Sequence, residues 1–139
     1  MLPVRRHFVL PALLLLAWAQ ALAAQPANGI LTNAIDVLML PGERAWGLNV
    51  RIRGIVTAAQ SSTALHPNWD GSFFVQDGTA GVFAEDAGHR RPAPGDLVEV
   101  TGVSHPGGFA PFISYAQWRK LGTAPLPSAK PVPIERLMA

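Results

Sequence analysis

The chain is predicted to fold as a small, closed, all-β barrel, and two observations carry that prediction. Its 139 residues include 13 glycines and 13 prolines, a content typical of chains with many tight turns. Between those turns lie five short apolar segments, and no long amphipathic helix interrupts them. Short strands joined by Gly and Pro turns are typical of small antiparallel barrels or sandwiches, and they disfavour a helical bundle.

The first segment, residues 49–57, has the clearest strand pattern. Val50, Ile52 and Val56 alternate with polar neighbours, which is the period of a half-buried strand. Gly54 in the middle of this strand predicts a bend or a close approach of another backbone. The other four predicted strands follow in order at residues 72–76, 81–84, 97–103 and 111–121. The second and third form a β-hairpin, because only Asp77 to Ala80 separate them.

Closure of the sheet into a barrel is favoured over an open sheet. An open five-stranded sheet would leave Phe73, Phe74, Val82 and Phe83 poorly covered. We expect the core to contain these side chains: Val50, Ile52, Val56, Phe73, Val75, Val82, Val98 and Val100. Asp77 and Asp96 adjoin glycines at strand boundaries, where an Asp side chain commonly closes a turn.

The chain divides into four predicted segments. Residues 1–23 are read as a signal peptide, 24–48 as a short helical or irregular lead, 49–122 as the barrel, and 123–139 as a proline-rich tail or linker. In the lead, residues 41–45 (PGERA) predict a turn or a one-turn helix.

The first segment has the three parts of an export signal. Arg5 and Arg6 precede an apolar run from Phe8 to Trp18, and residues 21–23 (ALA) offer a cleavage site. The run contains Pro11 and is shorter than the roughly 20 residues of a spanning helix, which favours cleavage near Ala23 over an uncleaved anchor. We therefore expect an exported protein, periplasmic or secreted.

Cleavage would also change the charge balance. The whole chain has 11 Lys and Arg against 9 Asp and Glu, and two of the arginines belong to the signal. The mature chain is then formally neutral, which weakens the case for a nucleic-acid partner. There is no cysteine, so neither a disulfide nor a thiolate zinc site supports this fold.

Three stretches together resemble a known kind of domain. Residues 50–57 (VRIRGIVT), 73–83 (FFVQDGTAGVF) and 94–103 (PGDLVEVTGV) read as an OB-fold pattern, continued by GGFAP at 107–111. The pattern is similar to the extracytoplasmic OB-like domains near the N-termini of bacterial membrane sensor proteins, including sensor histidine kinases. The resemblance spans about residues 49–133.

This resemblance implies a five-stranded Greek-key OB-fold barrel and a role in extracytoplasmic sensing. In the sensor proteins a second OB-like copy often follows, whereas here no spanning helix or kinase domain follows Ala139. We expect either a truncated N-terminal part of such a sensor or a small stand-alone secreted domain.

An OB barrel binds ligands across its second and third strands and between two of its loops. The corresponding loops are residues 58–71 and 104–111. The side chains expected to converge in one ligand-binding concavity are Trp69, Phe74, Gln76, His105 and Phe109. An alternative stays open for Trp69 and Phe109, which in that interpretation close the barrel ends as core lids.

Two arginines complete the candidate ligand-binding residues. Arg51 and Arg53 share one face of the first strand, and with Arg119 and Lys120 they suggest a basic stripe for phosphates. The alternative is an ordinary set of solvated surface charges.

Metal binding and catalysis are not expected. His66, His89 and His105 lie on three separate loops without metal-ligand spacing. Ser72, His105 and Asp77 supply triad residue types, but no GxSxG context surrounds a serine. No cofactor is expected.

The sequence thus favours a non-catalytic, extracytoplasmic OB-fold module that binds a small ligand or a protein. It would serve as sensory input or scaffold for a membrane signalling protein. The alternative is an oligonucleotide-binding domain associated with an extracellular nuclease, which the neutral mature charge places second.

Overall fold

The computed structural model describes residues 29–61, 70–86, 88, 90–129 and 131. The predicted signal peptide and Trp69 lie outside these residues, as does most of the chain beyond Lys130. In chain order the elements are α1 (Ala34–Leu38), a 3-10 helix (Gly42–Ala45), β1 (Asn49–Ala59), β2 (Phe73–Gln76), β3 (Gly81–Asp86), β4 (Asp96–His105) and β5 (Phe112–Thr123). All five predicted strands are confirmed, as is the short helical turn after Pro41. Within the described residues, no helix has the length and apolar character needed to cross a membrane.

The five strands close into one barrel in the order β1-β2-β3-β5-β4. The all-β, OB-like barrel is therefore confirmed, but the expectation of a wholly antiparallel sheet is wrong. The pair β3 and β5 runs parallel, while the other four pairs run antiparallel. The reason is geometric: strand direction cannot alternate all the way round a closed ring with an odd number of strands.

β1 is long enough to pair with its two neighbours along different parts of its length. Residues 49–55 pair with β4, and residues 55–59 pair with β2, with a bulge between Val56 and Ala58. Gly54 lies where β1 turns from one partner to the other. A Cβ there would lie 2.5 Å from the backbone oxygen of Gln76, so the predicted close approach at this glycine is confirmed.

The core lies inside the barrel, and all eight predicted core side chains are buried there. Two other side chains that were expected to be covered by the closed barrel lie outside it. Phe73 and Val82 point inward, whereas Phe74 and Phe83 lie on the outer face, with Phe74 exposed and Phe83 half-buried. The expectation that barrel closure covers all four of these side chains is wrong. Alternate residues of a strand face opposite sides of the sheet, so only two of them can point into the barrel.

α1 lies in the lead that the sequence predicted to be short helical or irregular, and it packs onto the barrel through Ala34 and Val37, both fully buried. Asp77, which lies in the connection between β2 and β3, stabilises the first turn of α1. The N–H of Ala34 donates to Asp77 Oδ2 at 2.7 Å. Oδ1 of the same carboxylate accepts the N–H groups of Thr79 and Ala80, as predicted for a turn-closing Asp. Burial alone raises the pKa of Asp77, but these hydrogen bonds outweigh it and leave the pKa below its ordinary value.

Candidate ligand-binding groove

An apolar groove of about 490 Å³ lies on the outer face of the barrel, between β3 and the loop that joins β4 to β5. Its floor comes from the sheet and one wall from that loop. The lining residues are Leu38, Gln60, Phe74, Gly81, Phe83, Glu85, Gly107, Gly108, Phe109, Ala110, Pro111 and Phe112. Gln60 follows β1, so both loops predicted to form the binding mouth contribute to this groove.

The β2-β3 hairpin sets the floor of the groove. Its four-residue connection places Gln76 opposite Gly81, and Phe74 therefore lies directly opposite Phe83. The two rings are 5.2 Å apart between centroids. Gly81, Phe83 and Glu85 are alternate residues of β3 and share its outer face, which gives the groove an apolar centre and a carboxylate farther along the strand.

Aromatic contacts continue beyond the hairpin. The ring of Phe83 lies 5.9 Å from that of Phe112, which lies 4.7 Å from the imidazole of His105. His105 in turn meets the indole of Trp46 at 4.3 Å. These five side chains form a continuous aromatic row behind and beneath the groove, so its floor is held by ring packing rather than by a single side chain.

The loop from Pro106 to Pro111 brings the last aromatic residue to the groove. Gly107 has φ 65°, a left-handed conformation, and its N–H donates to His105 Nδ1 at 3.0 Å. This turn carries Phe109 to the rim, where its side chain is fully exposed. The alternative in which Phe109 closes the barrel as a buried lid is therefore wrong.

Among the described residues that line the groove, Glu85 is the sole ionisable one. It is half-buried, and Ser114 Oγ donates to its Oε2 at 3.2 Å. None of the lysines and arginines in the described part of the chain forms an ion pair with Glu85. The electrostatic character of the groove is thus that of a carboxylate beside phenyl rings.

The predicted ligand-binding residues divide between several places. Phe74 and Phe109 line the groove together, as expected. Gln76 and His105 do not line it: Gln76 is half-buried beside the turn, and His105 lies in the aromatic row behind Phe112. Trp69 is outside the described residues. Ligand binding by any of these side chains stays a prediction.

Arg51 and Arg53 lie in a different place from the groove. They line a separate concavity of about 440 Å³ beside the β2-β3 turn. Strand pairing brings Arg53, Glu99 and Arg119 side by side across β1, β4 and β5. Both arginines pair with Glu99, at 2.8 Å each, and Lys120 pairs with Asp96. Three of the four cations of the suggested phosphate stripe therefore pair with carboxylates, but they share only Glu99 and Asp96, so the four cations and two carboxylates leave a net charge of +2.

These ion pairs predict an acid-sensitive stability. Hydrogen bonds from Arg53 and then Arg119 hold the pKa of Glu99 below its ordinary value. A lowered folded-state pKa stabilises the fold above the unfolded-state pKa, and that contribution is lost as the pH falls through the folded-state pKa. We expect the Tm of the wild type to fall between about pH 5 and pH 3, and less steeply in Glu99→Gln.

Thermal melts across that pH range measure this difference. Glu43→Gln is the control, because Glu43 is exposed on the 3-10 helix. If Glu99→Gln and Glu43→Gln lose Tm with acid as steeply as the wild type, Glu99 makes no pH-dependent contribution to stability.

The structure does not assemble the catalytic or metal-binding combinations considered from the sequence. Ser72 Oγ is buried without a hydrogen-bond partner, whereas His105 Nδ1 and the Asp77 carboxylate bind the backbone of their own turns. His66 and His89 lie outside the described residues. In the part of the chain that the structure describes, no three His, Asp or Glu side chains cluster in a way that would hold a metal ion.

The sequence interpretation missed several lining residues. Phe83 and Glu85 were within reach, because the hairpin register and the alternation along β3 place them beside Phe74. Leu38 had no such signal, and neither did Trp46, which belongs to the aromatic row and not to the lining residues. Their positions depend on how the lead from residue 29 to residue 48 packs against the barrel, which no local pattern predicts.

Fold and groove together define the chain as a small OB-like barrel with an apolar groove on its outer face. Among solved structures it is similar to the hypothetical protein ygiW from E. coli, with 20% identity and a TM-score of 0.49 over 67% of this chain and 91% of that chain. No protein-family model matches the chain, and no curated protein matches it. None of these comparisons links the chain to a membrane sensor, so that link remains a proposal.

Proposed function

We propose that this chain is a non-catalytic, exported binding module that takes its ligand in the groove on the outer face of β3. The observation that carries this proposal is the exposure of Phe109 at the rim, above a floor built from Phe74, Phe83 and Phe112. Contiguous apolar surface left in contact with water is a common mark of a ligand or partner site.

The dimensions of the groove favour a small ligand. Pockets for small molecules commonly have volumes of about 300–1,000 Å³ and are mostly apolar with a few polar groups. This groove has about 490 Å³, with Gln60 and Glu85 as its polar side chains. A ligand that covers Phe109 would remove its ring from water, which is a direct source of affinity.

The wider role that we propose is sensory input or a scaffold for a membrane signalling protein. Its support is the export signal in residues 1–23 and the resemblance of residues 49–133 to the extracytoplasmic domains of sensor proteins. In such a role, occupancy of the groove would be the event that the partner protein detects.

Oligonucleotide binding is the weaker proposal. A protein that binds single strands combines stacking rings with cations that follow the phosphates. Here the rings of the groove are accompanied by Glu85 and by no lysine or arginine among the described lining residues. The arginines lie elsewhere, where Glu99 pairs with both Arg53 and Arg119 and cancels one of their two charges.

The proposal is tested with N-phenyl-1-naphthylamine, a neutral apolar dye that fluoresces when it leaves water. We expect saturable binding to one site on the mature chain, and we expect Phe109→Ala to weaken it about tenfold, or about 1.4 kcal/mol. The physical reason is the loss of one ring that the bound dye would cover. Fluorescence titration measures the affinity, and thermal melting checks the fold.

Leu126→Ala is the matched control, because Leu126 is exposed and lies outside the groove. Equal affinity in the wild type, Phe109→Ala and Leu126→Ala would contradict the site. Labelled single-stranded DNA at about 50 mM and about 200 mM salt tests the alternative. Tight binding that falls steeply with salt and depends on Phe109 would favour the oligonucleotide function instead.

A further inference from the structure

We infer that the groove selects amphiphilic cations, small molecules with an apolar body and an ammonium group that pairs with Glu85. This inference rests on the proposed function, since it names the chemistry of the ligand that the groove takes. It is carried by the charge and the order of the groove's lining residues.

The outer face of β3 sets the order of these groups. Phe83 lies in the middle of the groove floor, in contact with Phe74 on one side and Phe112 on the other. Glu85 is two residues farther along the same face, and both side chains line the groove. A ligand extended along β3 therefore meets phenyl rings over most of its length and a carboxylate at one end.

The pairing state of Glu85 differs from that of two other carboxylates on the barrel, Glu99 and Asp96. Glu99 and Asp96 have Arg or Lys partners. Glu85 receives one hydroxyl hydrogen bond, from Ser114, and none of the described lysines and arginines pairs with it. A half-buried carboxylate without a cation keeps much of its attraction for one, because neighbouring apolar groups reduce the screening by water.

The same groups act against other ligand classes. An anion in the groove would lie near a carboxylate, with no lysine or arginine among the described lining residues to offset the repulsion. A neutral amphiphile would gain the contacts with the rings but nothing from Glu85. A cation gains the ring contacts, the ion pair and the attraction of an ammonium group to the faces of aromatic rings.

The test compares three probes that share one apolar chain and differ in head group: decylammonium, decyl maltoside and decyl sulfate. Each is used below its micelle concentration to displace N-phenyl-1-naphthylamine from the mature chain. We expect decylammonium to bind about tenfold more tightly than decyl maltoside, and decyl sulfate to bind most weakly. In Glu85→Gln, which can still accept the hydrogen bond from Ser114, the preference for the cation should disappear while the affinity for decyl maltoside stays within about twofold.

Glu43→Gln is the charge-matched control and should keep the full preference, because Glu43 is exposed and outside the groove. Equal affinity for the cationic and neutral probes in the wild type would overturn the inference and leave the proposed function intact. A preference for decylammonium that survives in Glu85→Gln would also overturn it. If neither the dye nor any of the three probes binds, both the inference and the proposed function are wrong.

Discussion

Phe73→Ala is expected to lower the free energy of unfolding by about 3–5 kcal/mol, the range found for buried Phe side chains. Phe73 is the largest fully buried side chain in the described barrel, and its ring makes an edge contact with Trp118 at 6.2 Å between centroids. Truncation removes the transfer free energy of the ring and leaves a cavity that the closed sheet has little freedom to fill. Urea unfolding monitored by circular dichroism measures the change.

Phe109→Ala is the matched control for that measurement. The same residue type is lost from a fully exposed position, so the free energy of unfolding should change by less than about 0.5 kcal/mol. The pair of variants thus separates stability from binding. Phe73→Ala should lower the stability of the barrel, and Phe109→Ala should weaken only the binding of the dye. A similar loss of stability in both would mean that the assignment of inward and outward faces is wrong.

The second large effect is expected at Gly54, where Gly54→Ala should lower the free energy of unfolding by about 2–3 kcal/mol. The added Cβ would lie 2.5 Å from the backbone oxygen of Gln76 and 2.8 Å from its carbonyl carbon. These are backbone atoms of β2, so the clash cannot be relieved by turning a side chain. Relief requires β1 and β2 to move apart where the barrel closes.

Gly122→Ala is the control, because Gly122 is also a strand glycine but has no neighbouring atom within 4 Å of an added Cβ. We expect no loss of stability there, and a gain of up to about 1 kcal/mol from the reduced entropy of the unfolded chain. Equal effects at Gly54 and Gly122 would show that strand propensity, rather than the close approach to β2, sets the cost.

Much of the barrel was predictable because strands and turns are specified by residues that are close together in the sequence. Alternation of apolar and polar residues places Val50, Ile52 and Val56 on one face of β1, and Gly and Pro turns separate the strands. The parallel pair was also within reach. Five strands in a closed ring require at least one parallel pair, because strand direction cannot alternate around an odd number of strands.

The groove was only half predictable. Phe74 and Phe109 follow from strand alternation and from the ligand-binding loops that the resemblance implied. Arg51 and Arg53 were placed with them because clustered cations suggest phosphate binding. Arg53 instead pairs with Glu99, which lies opposite Arg53 across one strand pair and opposite Arg119 across the other. No spacing along the chain reveals that triple alignment.

The sequence by itself determined the class of fold, the five strands and the core face, and it predicts an exported, formally neutral mature chain. Only the tertiary structure decided that α1 packs on the barrel, that Phe109 is exposed at a groove, and that Glu85 faces that groove with no ion pair to a described lysine or arginine. The physical reason is the range of the interactions involved. Strand formation and turn chemistry depend on residues close in sequence, whereas a groove and its charge depend on which distant segments the closed sheet brings together.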